Sequence, residues 1–553
     1  MVWPALTDAF ARALEAAGLG GAERLARLEL AVPREPAHGD WTTNLALLLA
    51  REARRPPRAL AETLAAGLPD LPELFERPEV AGPGFINLRY SRAFLAALPG
   101  RIAAAGEAFG AHDHARGLSV LVEYVSANPT GPLNVVSARA AAVGAALVRL
   151  LRATGHRAEG EFYVNDAGHQ VDLLGASLAA RFAERAGVPR AMPEDGYQGG
   201  YLRDVAAALD ADAARAALAR EDAAWFRDQA LERMLDLQRR DLAEYGAEFS
   251  RWFRESTLHP EGVAATLADL RAHDAVYERD GATWLASARH GDSEDRVVVK
   301  SDGRPTYLLP DIAYHRDKRA RGHRHAINLW GPDHHGYIAR LKAALVMLGI
   351  EPDFLEVLIV QQVNLLAGGQ PVKMSKRAGE FVSLRDLMEE VGADCAKFFF
   401  LMRSTSAHLD FDLDLAKRQN DENPAFYVQY AHARIASLLR YAAERGQRPD
   451  PGAGAGPEAA EEVALLRQLA AFPEVVRGAA MAREPHRVPA YLMETAAAFH
   501  RFYHACRVVS EDAARSAWRL AVCDAARVVL ANGLALLGVS APERMERAAE
   551  AAT

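Results

Sequence analysis

The sequence predicts an α/β protein in three parts: a small N-terminal α/β module, a central doubly wound parallel sheet, and an all-α C-terminal region. Three observations predict it. A strand–loop–helix–strand succession runs from Ser119 to Val164, a βαβ unit that implies parallel strands. Short β-branched runs return at 297–299, 326–330 and 357–360. From about residue 385 onward the periodicity is nearly all helical.

A chain of 553 residues is too long for one core. The pattern divides it into 1–112, 113–395 and 396–553, with a charged, largely helical insertion over about 190–290. In the first part helical patterns cover about 5–17 and 41–66. The strand Gly84–Tyr90 follows the Gly82-Pro83 break and puts Phe85 and Asn87 on one face. In the second, the apolar strand Ser119–Tyr124 leads into the loop Asn128-Pro129-Thr130-Gly131-Pro132. A helix Ala138–Thr154 follows, stopped by Gly155, and then a strand Glu161–Val164. The Pro/Gly-rich stretch 448–454 reads as a surface linker inside the helical part.

Half the residues are hydrophobic and a quarter charged, ordinary for a globular chain. A net charge of −8 provides no global basic footprint, so any nucleic-acid contact must use local patches. Cys395, Cys506 and Cys523 form no Cys-x-x-Cys, predicting neither a zinc site nor a disulfide framework and fitting a reducing cytoplasm. Asp8, Arg12 and Glu15 interrupt any N-terminal apolar leader. No run of about 18 uncharged apolar residues predicts a membrane span.

The most specific chemical signal is Val372-Lys373-Met374-Ser375-Lys376-Arg377-Ala378-Gly379. Two lysines on one loop suit a polyphosphate whose charge grows during reaction, because the ammonium is a compact point charge. In the first βα loop, Pro129, Thr130 and Gly131 let backbone approach a ligand. The helix that follows offers free N–H groups to phosphate. A basic surface loop and a proline-shaped turn are the plain structural alternatives. His334 and His335 follow the strand ending at Trp330. As adjacent residues they point different ways, which disfavours a metal site; a histidine bonding the turn backbone is the plain structural alternative to any functional role.

Several strings together resemble the arginyl-tRNA synthetase family. They are Glu123-Tyr124-Val125-Ser126-Ala127-Asn128-Pro129-Thr130-Gly131-Pro132, Phe162 to Gly168, Pro305-Thr306-Tyr307 with Asp311 to His315, Trp330 to Tyr337, the Lys-Met-Ser-Lys run, and Gln429 to Arg434. The resemblance implies a Rossmann-like class I catalytic domain, an N-terminal module that reads the tRNA elbow, and a helical anticodon-binding domain. One branch of the family has lysine where this chain has Gly131 and lacks part of the Lys-Met-Ser-Lys loop. This chain resembles the other branch.

The resemblance implies ATP contacts from Pro129, Thr130, Gly131, Asn134, Ser137, His335, Met374, Ser375 and Lys376. Lys373 and Lys376 with Asn134 and Ser137 are the expected catalytic set. The family's His-x-Gly-His motif falls on 134–137, which here read Asn134-Val135-Val136-Ser137. Asn134 can donate through its amide and Ser137 through its hydroxyl. Val136 stands where a glycine lets adenine pack on backbone. Losing one transition-state donor typically costs about 10²–10³ in rate. Two explanations therefore compete: a retuned active site, or a weakened paralogue that binds tRNA or arginine.

Arginine needs a carboxylate whose geometry matches its planar guanidinium. Asp311 is the leading candidate, one helical turn after Tyr307, so that both could face one pocket. Its structural alternative is a helix N-terminal acid after Pro310. The resemblance makes Glu123 the second acceptor and gives Ser126 and Asn128 the substrate's backbone end. On the tRNA side it implies Phe85 and Asn87 in the first module. In the helical domain it implies Tyr430, Arg434, Tyr503, Arg507 and Met545, with core packing the alternative for each tyrosine. The expected activity is ATP-dependent ligation of L-arginine to its tRNA. ATP with Mg²⁺, L-arginine and arginine tRNA are the expected cofactors and partners, with no membrane, no protein-held metal and a monomeric cytoplasmic enzyme.

Overall fold

The computed structural model describes residues 2–33, 35–372, 382–453 and 456–545. Lys373, Met374, Ser375 and Lys376 lie outside the described residues, as does the tail from Glu546.

The N-terminal module is a three-stranded antiparallel sheet of β1 (Trp41–Thr43), β2 (Glu79–Ala81) and β3 (Phe85–Leu88), with β3 in the middle. Helices Trp3–Ala16, Leu45–Ala53 and Pro57–Gly67 accompany it. The helix expected over 41–66 is thus a strand and two helices. Pro56-Pro57 forces the break, since a residue before proline is pushed out of the α region. Trp41 donates its indole N–H to the Tyr90 hydroxyl at 2.7 Å, locking β1 into the core.

The central domain carries β4 (Ser119–Glu123), β5 (Arg157–Val164), β6 (Arg251–Arg254), β7 (Val276–Arg279), β8 (Ala282–Leu285), β9 (Arg296–Val299), β10 (His325–Trp330) and β11 (Leu355–Ile359). Five of them make one parallel sheet, ordered β11-β10-β4-β5-β6. β4 is fully buried, as a strand covered on both faces must be. The chain leaves β4 toward β5 on one side and later returns to its other side as β10. The C-terminal ends of β4 and β10 therefore form the topological switch point, where open α/β sheets bind ligands.

The stretch 190–290 departs from the expected helical insertion. It holds helices Tyr201–Ala207, Ala211–Ala219, Ala223–Glu244 and Glu261–Ala272, but also β6, which is the edge strand of the parallel sheet. β9, expected to return to that sheet, instead joins the antiparallel meander β7-β8-β9. The cause is Asp280-Gly281, two successive residues at positive φ (53° and 73°), which close a tight hairpin between β7 and β8.

A smaller sheet of β12 (Val363–Ala367), β13 (Gln370–Pro371) and β14 (Leu409–Asp412) follows. The β12–β13 hairpin turns at Gly368-Gly369 and runs directly into the Lys373 segment. The C-terminal domain is a bundle of helices Pro424–Ala443, Ala460–Ala482, Arg487–Ala505 and Ala513–Leu537. The last is long and apolar enough to cross a membrane by length and composition. Its Trp518, Cys523 and Leu530 are fully buried, which makes it a core helix of the bundle.

Candidate active site

At the end of β4 the backbone is strained. Val125 and Ser126 both take positive φ (69° and 40°), a region non-glycine residues rarely occupy and one that clusters at functional sites. The turn aims Ser126 back at the strand. Its hydroxyl donates to Glu123 Oε1 at 3.0 Å and accepts the backbone N–H of Tyr163 at 3.1 Å. Ser126, expected to hold the substrate's backbone end, is thus engaged in fixing Glu123. Asn128 is exposed and donates to Gln170 Oε1 at 2.9 Å.

The loop 128–132 is held from the inserted helices. Gln238 donates its amide to the carbonyls of Asn128 (3.2 Å) and Gly131 (3.0 Å), and the Tyr201 hydroxyl donates to the Thr130 carbonyl at 2.6 Å. A Cβ on Gly131 would come within 3.1 Å of that hydroxyl, so a side chain there would have to push the Tyr201 ring back. Pro129 is buried beneath the loop.

Asn134 caps the helix Val135–Ala153. Its Oδ1 accepts the backbone N–H of Ser137 at 3.0 Å and the Ser137 hydroxyl at 3.3 Å. Both expected donors are thus placed differently: the serine hydroxyl is spent inside the cap, while the Asn134 amide N–H groups have no hydrogen-bond partner among the described residues. The neighbouring backbone is tied to the far end of the Lys373 segment, where Leu384 N–H donates to the Leu133 carbonyl at 2.7 Å. Ser383 then opens the helix Leu384–Val391 with a capping box to Asp386. One turn into the Asn134 helix, fully buried Arg139 donates to the carbonyls of Gln361 (2.9 Å), Ser404 (2.8 Å) and Ala407 (3.0 Å). The helix of the nucleotide corner is thereby fastened to the segment before β12 and to the loop before β14.

The helix Leu308–Ala320 presents Asp311, Tyr314, His315 and Lys318 toward the sheet. Tyr307 does not join Asp311. It sits at the helix N-cap, where no earlier turn exists to cover it, and its residue is 87% exposed. Tyr337 takes that place, donating to Asp311 Oδ2 at 2.6 Å. Burial pushes the Asp311 carboxyl up to about 7; the Tyr337 bond and the Lys318 charge hold it down, while Glu123 and Glu255 push it further up. Glu123 Oε2 accepts from the fully buried Lys318 ammonium at 2.6 Å. His334 and His335 are both exposed on the turn Pro332–Tyr337, His334 beside the Trp330 ring. Among the described residues no cluster of His, Cys, Asp or Glu could hold a metal ion.

Three family models match consecutive parts of the chain: Arginyl tRNA synthetase N terminal domain over 4–90, tRNA synthetases class I (R), catalytic domain over 106–398, and DALR anticodon binding domain over 428–545. The chain belongs to the arginyl-tRNA synthetase family. It is 46% identical to the arginine–tRNA ligase of Geobacillus kaustophilus over 536 residues, 96% of either chain. It is also 46% identical to that of Symbiobacterium thermophilum over 548 residues, 98% of either chain. The Thermus thermophilus arginyl-tRNA synthetase structure matches with a TM-score of 0.79 at 25% identity, covering 99% of this chain and 100% of that one.

For an arginyl-tRNA synthetase, the remaining expected residues fall on two surfaces. In the first module Phe85 is 36% exposed, whereas Asn87, on the same face, is 6% exposed because β1 and β2 flank it. In the helical domain Tyr430 lies parallel to Phe426 at 5.8 Å, and the Arg434 guanidinium lies 4.5 Å over the Tyr503 ring. Arg507 is exposed and donates to the Val509 carbonyl at 3.2 Å; Met545 is half-buried. Sequence reasoning missed Tyr337, Lys318, Gln238, Tyr201 and Arg139. Asp311, His315 and Lys318 lie at i, i+4 and i+7, a helical-face signal that was available. Nothing in the sequence marks Gln238 or Tyr201, which act across more than 70 residues.

Proposed function

We propose that the chain activates L-arginine with ATP as arginyl-adenylate and passes the arginyl group to the 3′-terminal ribose of arginine tRNA. The observation that carries this reading is the pair of carboxylates, Asp311 and Glu123, at the switch point of a sheet whose first loop is shaped for a nucleotide. Asp311 receives the guanidinium, with Glu123 offering the lone pair that Ser126 leaves on Oε1 while Lys318 occupies Oε2. Tyr307, exposed at the head of the same helix, offers its ring to the substrate from the solvent side rather than from beside Asp311. Substrates lacking the matching donors leave buried acceptors unpaired, a penalty of about 10⁴–10⁵ in selectivity.

The arginine carboxylate attacks the α-phosphorus in line and pyrophosphate leaves. Loop 129–131 approaches the phosphates, and the Asn134 amide donates to them from the helix cap. Lys373 and Lys376 follow the departing pyrophosphate, with Met374, Ser375 and His335 completing the nucleotide contacts. Mg²⁺ arrives on the ATP phosphates. The protein's contribution is positioning and charge stabilisation. Phe85 meets the tRNA elbow, with the buried Asn87 supporting its strand from within, and Tyr430, Arg434, Tyr503, Arg507 and Met545 meet the anticodon. Action as a monomer in the cytoplasm belongs to the same proposal.

The test is arginine-dependent ATP–pyrophosphate exchange with and without cognate tRNA. The triple variant Asn134→His, Val136→Gly, Ser137→His runs in parallel. Exchange by the native chain supports the retuned site. Silence of the native chain with activity in the triple variant would instead make it a binding protein.

A further inference from the structure

Lys318 is the least expected group in the site. It is 0% exposed, and its ammonium makes two hydrogen bonds and one contact with an aromatic ring. Nζ lies 2.6 Å from Glu123 Oε2, 3.0 Å from Asn328 Oδ1 and 4.2 Å from the centre of the Tyr314 ring. The far side of this arrangement is fixed as well. His315 Nδ1 is 2.8 Å from the Asp311 carbonyl, which can only accept, so Nδ1 carries the proton. Nε2 then accepts from Asn328 Nδ2 at 2.8 Å, which turns Asn328 Oδ1 toward Lys318. Burial and the Lys318 charge hold His315 far below its usual range, so it stays neutral. A closed chain of hydrogen bonds thus runs from Ser126 through Glu123, Lys318, Asn328 and His315 to the backbone of Asp311.

We infer that Lys318 is a positioning residue that sets the charge of the arginine pocket by occupying one oxygen of Glu123 while Asn328 and the Tyr314 ring hold it in place. This rests on the arginine-pocket reading above. The other groups nearby do not supply that charge. Glu161 is matched by Arg321 at 2.8 and 2.9 Å, with Arg251 beyond. Glu255 adds negative charge. Tyr163, Tyr314 and Tyr337 are pushed up by burial and stay neutral. Burial lowers His323, which bonds Ser119. Lys318 is the one buried cation in direct contact with Glu123 among the described residues. Removing it leaves two neighbouring carboxylates competing for one proton, the arrangement that drives one of them strongly upward.

The experiment follows arginine binding to the full-length protein by calorimetry in buffers of different ionisation heat, from pH 6 to 9. The arginine KM in tRNA-supported exchange is measured alongside. Because burial holds Asp311 well above its ordinary range, the native protein is expected to release protons on binding arginine near neutral pH. Lys318→Met is expected to release more, to raise the arginine KM about tenfold at pH 7 with the ATP KM within about twofold, and to recover toward pH 9 as its profile moves up by about one unit or more. Lys318→Arg keeps the native profile. Asn328→Asp, which neutralises Lys318 without deleting it, moves the profile the same way and serves if Lys318→Met fails to fold. Unchanged proton release and an unmoved profile in the folded variants overturn the inference. Asp311→Asn separates the two readings: if it binds arginine normally, the pocket itself is wrongly assigned.

Discussion

Asn134 Oδ1 accepts both the backbone N–H of Ser137 at 3.0 Å and its hydroxyl at 3.3 Å, so these two residues together form a helix cap. A cap of this kind stabilises by about 1 kcal/mol and presents the helix N-terminus to whatever lies in front of it. Asn134→Ala is expected to lower thermal stability by about that amount and to slow arginine-dependent exchange by about 10²-fold, through loss of the amide donor. Asn134→Asp keeps the cap but not the donor. A rate for Asn134→Asp equal to that of the native chain would show that the amide does not reach the phosphates.

Gly144 sits against the buried Tyr124 ring. A Cβ there would fall 2.2 Å from Tyr124 Cγ. Mid-helix Gly→Ala normally gains about 1 kcal/mol. Here overpacking reverses the sign, and Gly144→Ala should destabilise by about 1–3 kcal/mol. Because Tyr124 adjoins the strained Val125-Ser126 turn, the arginine KM should rise as well. Chemical denaturation and exchange kinetics on one variant check both, and a stabilised variant would refute the packing argument.

Asp311 carries a stability cost that depends on pH. Its folded carboxyl is raised from 3.8 to about 7, so the folded state holds a proton the unfolded chain would release. The cost is absent below about pH 4, grows between about 4 and 7, and levels off above, reaching of order 2–4 kcal/mol. Asp311→Asn should therefore melt higher than the native protein at pH 8, with the gap closing toward pH 4, while arginine binding is lost. Parallel melting curves across that range would contradict the assigned direction.

The Arg434 guanidinium over Tyr503 holds that ring in a half-exposed position on the bundle. If the ring stacks an anticodon base, Tyr503→Ala should raise the tRNA KM by about 10-fold or more, from about 1–3 kcal/mol of stacking, and leave the arginine KM alone. Tyr503→Phe should keep native tRNA binding. A thermal loss without any change in tRNA KM would assign Tyr503 to core packing.

The parts of the fold that rest on local patterning were legible. The βαβ unit around Ser119–Val164 and the C-terminal helices follow from period and length, and both are present. The failures are local too. Pro56-Pro57 breaks a helix that hydrophobic periodicity alone runs through. Asp280-Gly281 marks a hairpin that a charged window hid, and β6 is too short and too polar to register as a sheet strand.

The sequence by itself determined the family and the parallel-sheet domain between an α/β module and a helical bundle, and it singled out Asp311, Glu123 and Asn134 as candidates, because motif strings and periodicity are properties of neighbouring residues. Only the tertiary structure decided their partners. Tyr337 rather than Tyr307 meets Asp311, Lys318 meets Glu123 across 195 positions, and the Ser137 hydroxyl donates to Asn134 Oδ1. Such pairings depend on which faces the strands and helices turn toward one another, and burial, which sets the protonation of Asp311, exists only once the chain has closed around it.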